Sequence, residues 1–180
     1  MADKPQTSGL RLVIVWQESM NLIAQILDVQ RIRVDLEVDS REALFAYMGD
    51  LFEAPSGQTV AKLVDALNQR EKLGSTGLGM GIAIPHQRIK GLKEALGAFV
   101  RLKTPIEFDA PDNQPVSLFF FMLAPEQANE THLRLLAELA QMFSDKNFRE
   151  TLLNAPDAAT IAGAFEKWDI HAPSERSSAV

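Results

Sequence analysis

The sequence predicts an α/β fold in which helices cover both faces of a mixed β-sheet. One observation is the run VSLFFFML at 116–123, which is apolar on both sides of a strand and therefore needs cover on each face. Another is that shorter strand-like segments are interspersed with segments of helical periodicity. The length of 180 residues fits one domain, because domains usually run to roughly 100–200 residues.

The first predicted elements are a strand and two helices. In residues 32–36 apolar and charged residues alternate, which is the period of a half-buried strand. Ser40 is the expected N-cap of a helix whose apolar pattern stops before Pro55 and Gly57. A second helix is predicted from Thr59 onward, with Arg70 on or just past its last turn.

Three further strands are predicted in the middle of the chain, over 82–84, 96–102 and 116–123. The segment APDNQP at 110–115 has turn chemistry and separates the last two strands. Because the last strand is apolar on both faces, we expect it in the centre of the sheet.

Helices fill the rest of the predicted domain. Asn129 is the expected N-cap of one helix, Asn147 with Glu150 is a capping pair for the next, and Asp157 caps a last helix that runs toward Trp168. The apolar stripe of the first of these helices is predicted to comprise Leu133, Leu136, Leu139 or Ala140, and Phe143.

Composition excludes several functional classes. The chain has no cysteine, so thiolate catalysis and Cys-ligated zinc are excluded. A net charge of −6 without a basic run argues against nucleic acid as a partner. The apolar segment at 10–15 is too short for a signal core or a membrane span of about 20 residues, so we expect a cytoplasmic protein without membrane insertion.

The glycine-rich run at 74–81 does not fit a nucleotide-binding loop. No Gly-Lys-Ser/Thr sequence is present, and a dinucleotide fingerprint would need glycine where Ile84 follows Gly79 and Gly81. The run is therefore interpreted as a tight turn that leads into a strand. Pro85 then stiffens the strand end that carries His86.

Two histidines and an arginine form a candidate phosphoryl site. His86 could act as nucleophile, while His132, near a helix N-terminus, and Arg70 could hold phosphoryl oxygens. The hydroxyls of Ser75 and Thr76 suit the same group. Each residue alone also fits a structural role, and this chemistry requires neither a metal nor a cofactor.

The segments REKLGSTGLGMGIAIPH, PVSLFFFMLAPEQ and THLRLL together resemble IIA proteins of the bacterial phosphotransferase system, mannitol/fructose class, and above all their nitrogen-regulatory branch. The resemblance covers about residues 20–165. It implies a three-layer α/β/α sandwich and a histidine phosphocarrier protein as phosphoryl donor. It also implies that His86 is the phosphoryl acceptor, His132 the supporting histidine and Arg70 the phosphoryl-binding arginine.

The sequence departs from this family pattern at two positions. Gln87 replaces a common glycine, and Met80 replaces a residue that is usually polar. Leu78 and Met80 could present an apolar docking surface for the phosphocarrier, beside Gln87. Both departures bear on the geometry of the loop and on the choice of phosphocarrier.

The expected domain organisation is an N-terminal extension over 1–19, a single IIA domain over 20–168 and a flexible tail over 169–180. Met20 resembles an initiator, so the extension could lie upstream of the natural start.

The leading functional hypothesis is a nitrogen-related regulatory phosphocarrier. Its alternatives are a sugar-specific IIA subunit that passes phosphate to a separate IIB protein, and a binding regulator that is never phosphorylated. A metal hydrolase using His86, His132 and a carboxylate such as Glu138 is a further alternative, although the HExxH motif is absent.

Overall fold

A computed structural model describes residues 21–169 and places a mixed β-sheet at their centre. The predicted extension at 1–19 and all but the first residue of the predicted tail lie outside the described residues. The strands are β1 (Leu27–Leu36), β2 (Gly77–Gly79), β3 (Ile82–Ala83), β4 (His86–Ile89), β5 (Leu96–Ile106) and β6 (Val116–Pro125). The helices are α1 (Leu22–Ile26), α2 (Arg41–Ser56), α3 (Val60–Lys72), α4 (Asn129–Ser144), α5 (Lys146–Asn154) and α6 (Ala158–Lys167).

Strand β6 lies in the middle of the sheet, as its apolar sequence predicts. The strand order is β1-β5-β6-β3-β2, with β4 also paired to β6. Strand β6 is antiparallel to β5 and parallel to β3 and β4. Because β3 and β4 pair with successive parts of β6, they behave as one strand interrupted at Ile84 and Pro85. The chain therefore enters β4 with His86 as its first residue.

Two hydrophobic cores lie on opposite faces of the sheet. Helices α2 and α3 cover one face, where their residues pack against side chains such as Phe119 and Phe121. Helices α1, α4, α5 and α6 cover the other face, where they pack against Phe99 and Phe120. The architecture is thus the predicted α/β/α sandwich. Within residues 21–169 no helix is long and apolar enough to cross a bilayer.

Three predicted helix starts are confirmed by side-chain caps. Ser40, Thr59 and Asp157 each accept a hydrogen bond from a backbone N–H in the first turn of their helix. The predicted end of α2 is two residues early, because Pro55 lies inside the helix. The helix ends at Gly57, which adopts the left-handed conformation with φ 67°.

Two predicted caps are wrong. Asn129 is the first residue of α4 rather than its cap, because Ala128 occupies the cap position without a side-chain hydrogen bond. Helix α5 is capped by Asp145, whose carboxylate accepts from the N–H groups of Asn147 and Phe148, so the Asn147–Glu150 pair is not its cap.

The predicted apolar stripe of α4 is also corrected. Leu133 is 66% exposed, whereas Leu135, Leu139, Met142 and Phe143 are buried. The buried face is therefore rotated away from Leu133, which lies next to His132 on the surface.

Candidate functional site

His86 is the first residue of β4 and is half-buried. Its Nδ1 lies 2.7 Å from the carbonyl oxygen of Ile84. A carbonyl can only accept, so Nδ1 carries the proton in the neutral ring and Nε2 keeps its lone pair. Burial lowers the pKa of His86; the Ile84 hydrogen bond opposes this shift and the charge of Arg70 adds to it. The ring is consequently neutral near pH 7, with Nε2 as its available nucleophile.

His132 lies beside His86, with the two ring centroids 5.4 Å apart and the ring planes inclined by 51°. Burial lowers the pKa of His132 to about 4, with smaller contributions from the charges of His86, Arg88 and Arg70. Its Nδ1 is buried and has no hydrogen-bond partner among residues 21–169. A buried nitrogen in this state favours binding of a group that can complete its hydrogen bonding.

His132 lies near a helix N-terminus, as the sequence predicts. It is the fourth residue of α4, and its backbone N–H already donates to the Ala128 carbonyl at 2.9 Å. Only the preceding N–H groups of α4 lack intrahelical acceptors.

Arg70 approaches the histidine pair from the last turn of α3. Its Nη1 donates to the Gly74 carbonyl at 2.9 Å, so the glycine-rich loop holds one side of the guanidinium. The charge of Arg70 lowers the pKa of both His86 and His132. The structure therefore brings together the three residues that sequence analysis singled out for the reaction.

Ser75 and Thr76 have other hydrogen-bond partners. The Ser75 hydroxyl donates to the Phe108 carbonyl at 2.9 Å. The Thr76 hydroxyl donates to the buried carboxylate of Glu71, with Oγ1 and Oε2 2.9 Å apart. Because a hydroxyl has one proton, neither can donate to a phosphoryl group in this geometry. The two residues hold the loop in place, and their support of the phosphoryl group stays a prediction.

The predicted docking residues differ in accessibility. Leu78 and Met80 are 41% and 57% exposed, and Leu133 on α4 adds an exposed apolar side chain that the sequence pattern placed in the core. Gln87 is half-buried, and its Nε2 donates to the Ala66 carbonyl of α3 at 3.2 Å. Docking by these residues stays a prediction, and the amide of Gln87 is already engaged within the protein.

Sequence analysis missed Arg88. It lies two residues after His86 on β4, and its Nη1 donates to Oδ1 of Asn129 at the start of α4. The alternation of a strand would have revealed it, because residues i and i+2 point to the same face. The sequence pattern predicts a strand only over 82–84, so Arg88 falls outside it.

Glu138 does not join the histidines. Its carboxylate is buried and accepts from the Ile23 N–H of α1 at 3.2 Å, and burial raises its pKa. Residues 21–169 contain no group of three metal-ligating side chains in position to hold an ion. The described residues therefore give the hydrolase alternative no third ligand beside His86 and His132, neither Glu138 nor another carboxylate.

Known proteins share both the sequence and the fold of this chain. Residues 25–168 match the family described as "Phosphoenolpyruvate-dependent sugar phosphotransferase system, EIIA 2". The nitrogen regulatory protein of Pseudomonas aeruginosa is 38% identical over 140 residues, which cover 77% of this chain and 91% of that protein. The corresponding protein of Bradyrhizobium diazoefficiens is 36% identical over 139 residues, with the same shares of 77% and 91%. The crystal structure of IIA-Ntr from Neisseria meningitidis superposes with a TM-score of 0.78 at 46% identity, covering 81% of this chain and 99% of that chain.

Proposed function

The chain belongs to the EIIA type-2 family of the phosphotransferase system, on its nitrogen-regulatory branch, and from this premise we propose that it is a cytoplasmic regulatory phosphocarrier whose His86 accepts a phosphoryl group from a histidine phosphocarrier protein. The observation that carries the proposal is the hydrogen bond between His86 Nδ1 and the Ile84 carbonyl. This bond fixes the tautomer in which Nε2 is an unprotonated nucleophile.

Arg70 and His132 supply the electrostatics of the reaction in this proposal. A transferring phosphoryl group spreads negative charge over its equatorial oxygens, and catalysis consists mainly of positioning and charge stabilisation. The guanidinium of Arg70 supplies a fixed positive charge beside the acceptor ring. His132, uncharged because of its low pKa, supplies a ring N–H without repelling the incoming donor imidazole.

The proposed step conserves atoms and charge. The His86 Nε2 lone pair forms a bond to phosphorus as the bond between phosphorus and the donor's imidazole nitrogen breaks. The electron pair of the broken bond stays on the donor ring. No proton has to leave His86 beforehand, because Nε2 is already unprotonated and Nδ1–H remains bonded to Ile84.

Regulation would follow from the charge of the phosphorylated state. A phosphoryl group adds about −1.5 to −2 charge to the surface around His86. The exposed apolar residues Leu78 on β2 and Met80 in the turn after it precede His86 in the chain, so one surface could bind the donor and sense phosphorylation. That relatives are named nitrogen regulatory proteins supports a signalling role toward a protein target.

A sugar-specific IIA subunit is the second candidate, because the family description names sugar phosphotransferase systems. In that case the phosphoryl group would pass from His86 to a separate IIB protein. Transfer from the phosphorylated chain to fructose- and mannitol-type IIB proteins separates this candidate from the regulatory one.

The test of the proposal is intact-mass spectrometry after incubation with phosphoenolpyruvate, enzyme I and histidine phosphocarrier proteins. We expect one acid-labile phosphoryl group on the wild-type protein and none on His86→Ala. The variant Lys93→Gln, altered in the exposed loop after β4, serves as a matched control that retains phosphorylation. Absence of phosphorylation with every carrier would overturn the proposal and favour a binding regulator that is not phosphorylated.

A further inference from the structure

The histidine pair is approached by two arginines that form no ion pair within the described part of the chain. The ion pairs within residues 21–169 involve Arg41, Arg101, Lys103 and Lys146, and neither Arg70 nor Arg88 is among them. Arginines without a carboxylate, next to half-buried neutral imidazoles, leave the site with uncompensated positive charge. Such a site is suited to an anion of about two charges.

The two faces of β4 explain where Arg88 lies. Gln87 bonds to α3, and Ile89 belongs to the core beneath α2 and α3. Because side chains alternate along a strand, His86 and Arg88 face the opposite layer, which contains α4 and His132. This placement agrees with the hydrogen bond from Arg88 to Asn129 on α4.

Arg70 and Arg88 affect the two histidines to different extents. Arg70 is the arginine whose charge lowers the pKa of His86. On His132 the charge of Arg88 has the larger effect of the two. The arginines therefore flank the histidine pair from the α3 side and the α4 side.

Asn129 has a role that differs from helix capping. Its Oδ1 holds the Arg88 guanidinium at the first residue of α4, while the cap position belongs to Ala128. Among residues 21–169 the Arg88 guanidinium donates only to this neutral oxygen, and the side chain is exposed, so its remaining N–H groups can bind a ligand. The guanidinium is thus positioned but not neutralised.

We propose that Arg88 is a second phosphoryl-binding arginine, which contacts the phosphoryl group of phosphorylated His86 from the α4 side, opposite Arg70. This inference rests on the proposed phosphorylation of His86. Arg70 supplies one positive charge and neutral His132 supplies none, so a phosphoryl group of nearly two negative charges requires a second cation. Arg88 supplies it, and its planar fork matches two phosphoryl oxygens.

The test uses protein phosphorylated directly with phosphoramidate, which needs no protein donor, and follows the phosphorus resonance by NMR as pH is varied. In Arg88→Gln we expect the pKa of the phosphoryl group to rise by about half a unit or more, the effect of removing one nearby charge in a solvated site. Arg88→Lys retains the charge and should restore most of the shift. Phosphoryl transfer from the carrier should also slow about tenfold in Arg88→Gln, as expected for one charge-assisted hydrogen bond.

The matched control is Lys93→Gln, which removes the same charge from the loop between β4 and β5. An unchanged phosphoryl pKa in Arg88→Gln, equal to that of the control, would overturn the proposal for Arg88 alone. A wild-type protein that reacts with phosphoramidate at His86 but with no carrier would overturn the proposed function while the pKa comparison still tests Arg88. A wild-type protein that reacts with neither would overturn both.

Discussion

At the scale of single residues, the site keeps two imidazoles uncharged close together. Burial is the largest cause of the lowered pKa of both His86 and His132; Arg70 lowers both values further, and Arg88 lowers that of His132. Protonation of either ring is therefore less favourable in the folded protein than in the unfolded chain. An unfolded chain can take up those protons freely, so acid favours unfolding.

The pH dependence of stability follows from the sign of these shifts. The pKa of His132 falls from an ordinary 6.5 to about 4 in the folded protein, so between these values the unfolded chain binds the proton first. Stability should therefore fall as pH drops from 7 to 5. We expect His132→Asn to lose less stability over this range than the wild type, measured by urea denaturation at both pH values.

The same comparison separates His132 from other titrating groups. Burial raises the pKa of Glu138, so its protonation stabilises the fold as pH falls and opposes the histidine effect. Glu138 is present in both proteins, and the difference between them reports His132. Equal losses in the two proteins would show that His132 is not held uncharged by the fold.

Residue types were predicted better than residue contacts. Arg70, His86 and His132 follow from sequence because each carries chemistry in a recognisable motif. The hydrogen bonds of Ser75 and Thr76 do not, because their acceptors, Phe108 and Glu71, are set by the tertiary packing of the loop. Short polar side chains often bond to whichever nearby acceptor the fold supplies.

Met80 is a further residue whose contact could not be predicted from the sequence. It adopts a left-handed conformation with φ 57°, which is unfavourable for a residue with a side chain of this size. Its N–H donates to the Asp112 carboxylate at 2.8 Å, a contact that joins two distant loops and compensates part of the strain. No local pattern around Met80 predicts that partner.

At the scale of elements, Gln87 connects the strand of the acceptor histidine to the helix of the arginine. Its Nε2 donates to the Ala66 carbonyl one turn before Arg70, and its Oε1 accepts from the Arg88 N–H at 2.9 Å. Glycine at this position could make neither side-chain bond. The departure from the family pattern thus adds a cross-link between β4 and α3.

We expect Gln87→Met, which keeps the side-chain length but removes the amide, to lower the free energy of unfolding by about 1 kcal/mol. Amide hydrogen exchange in the last turn of α3 should accelerate, because the link to β4 is lost. Phosphoryl transfer should slow as Arg70 becomes less well positioned. Gln69→Met, an exposed change on the same helix, is the matched control, and a similar result in both variants would remove the proposed role of Gln87.

Elements with strong local signals were predicted well. Ser40, Thr59 and Asp157 precede clear helical patterns, whereas at Asn129 and Asp145 several residues could serve as caps. Strand β4 contains one buried residue in four, so hydrophobic periodicity could not reveal it. It forms because β6 extends far enough to pair with the residues that follow Pro85. This pairing depends on the neighbouring strand and leaves no pattern in the sequence of β4 itself.

At the scale of the whole molecule, Arg101 links the central sheet to the helical layer that includes α4. It is a buried residue of β5, and its Nη1 donates to the carbonyls of Leu152, Leu153 and Ala155 at the end of α5. Its Nε donates to Asp35 of β1 at 3.0 Å. One guanidinium therefore satisfies carbonyls that a helix end would otherwise leave without partners.

Lys103 on the same strand provides a contrast. It pairs with Glu37, which follows β1, at 2.8 Å, but both side chains are more than 60% exposed, at 63% and 73%. Exposed pairs contribute about 0–1 kcal/mol, because water already solvates both charges. The two cations thus differ in burial and in the number of acceptors that depend on them.

We expect Arg101→Met to lower the free energy of unfolding by about 3 kcal/mol, since buried carbonyls at the end of α5 lose their donor. Lys103→Met should cost less than about 1 kcal/mol. Denaturation by urea measures both values, and hydrogen exchange should show α5 opening first in Arg101→Met. Equal losses of unfolding free energy in the two variants would mean that water replaces the guanidinium at the α5 carbonyls. The packing of the sheet against this helical layer would then depend on apolar contacts alone.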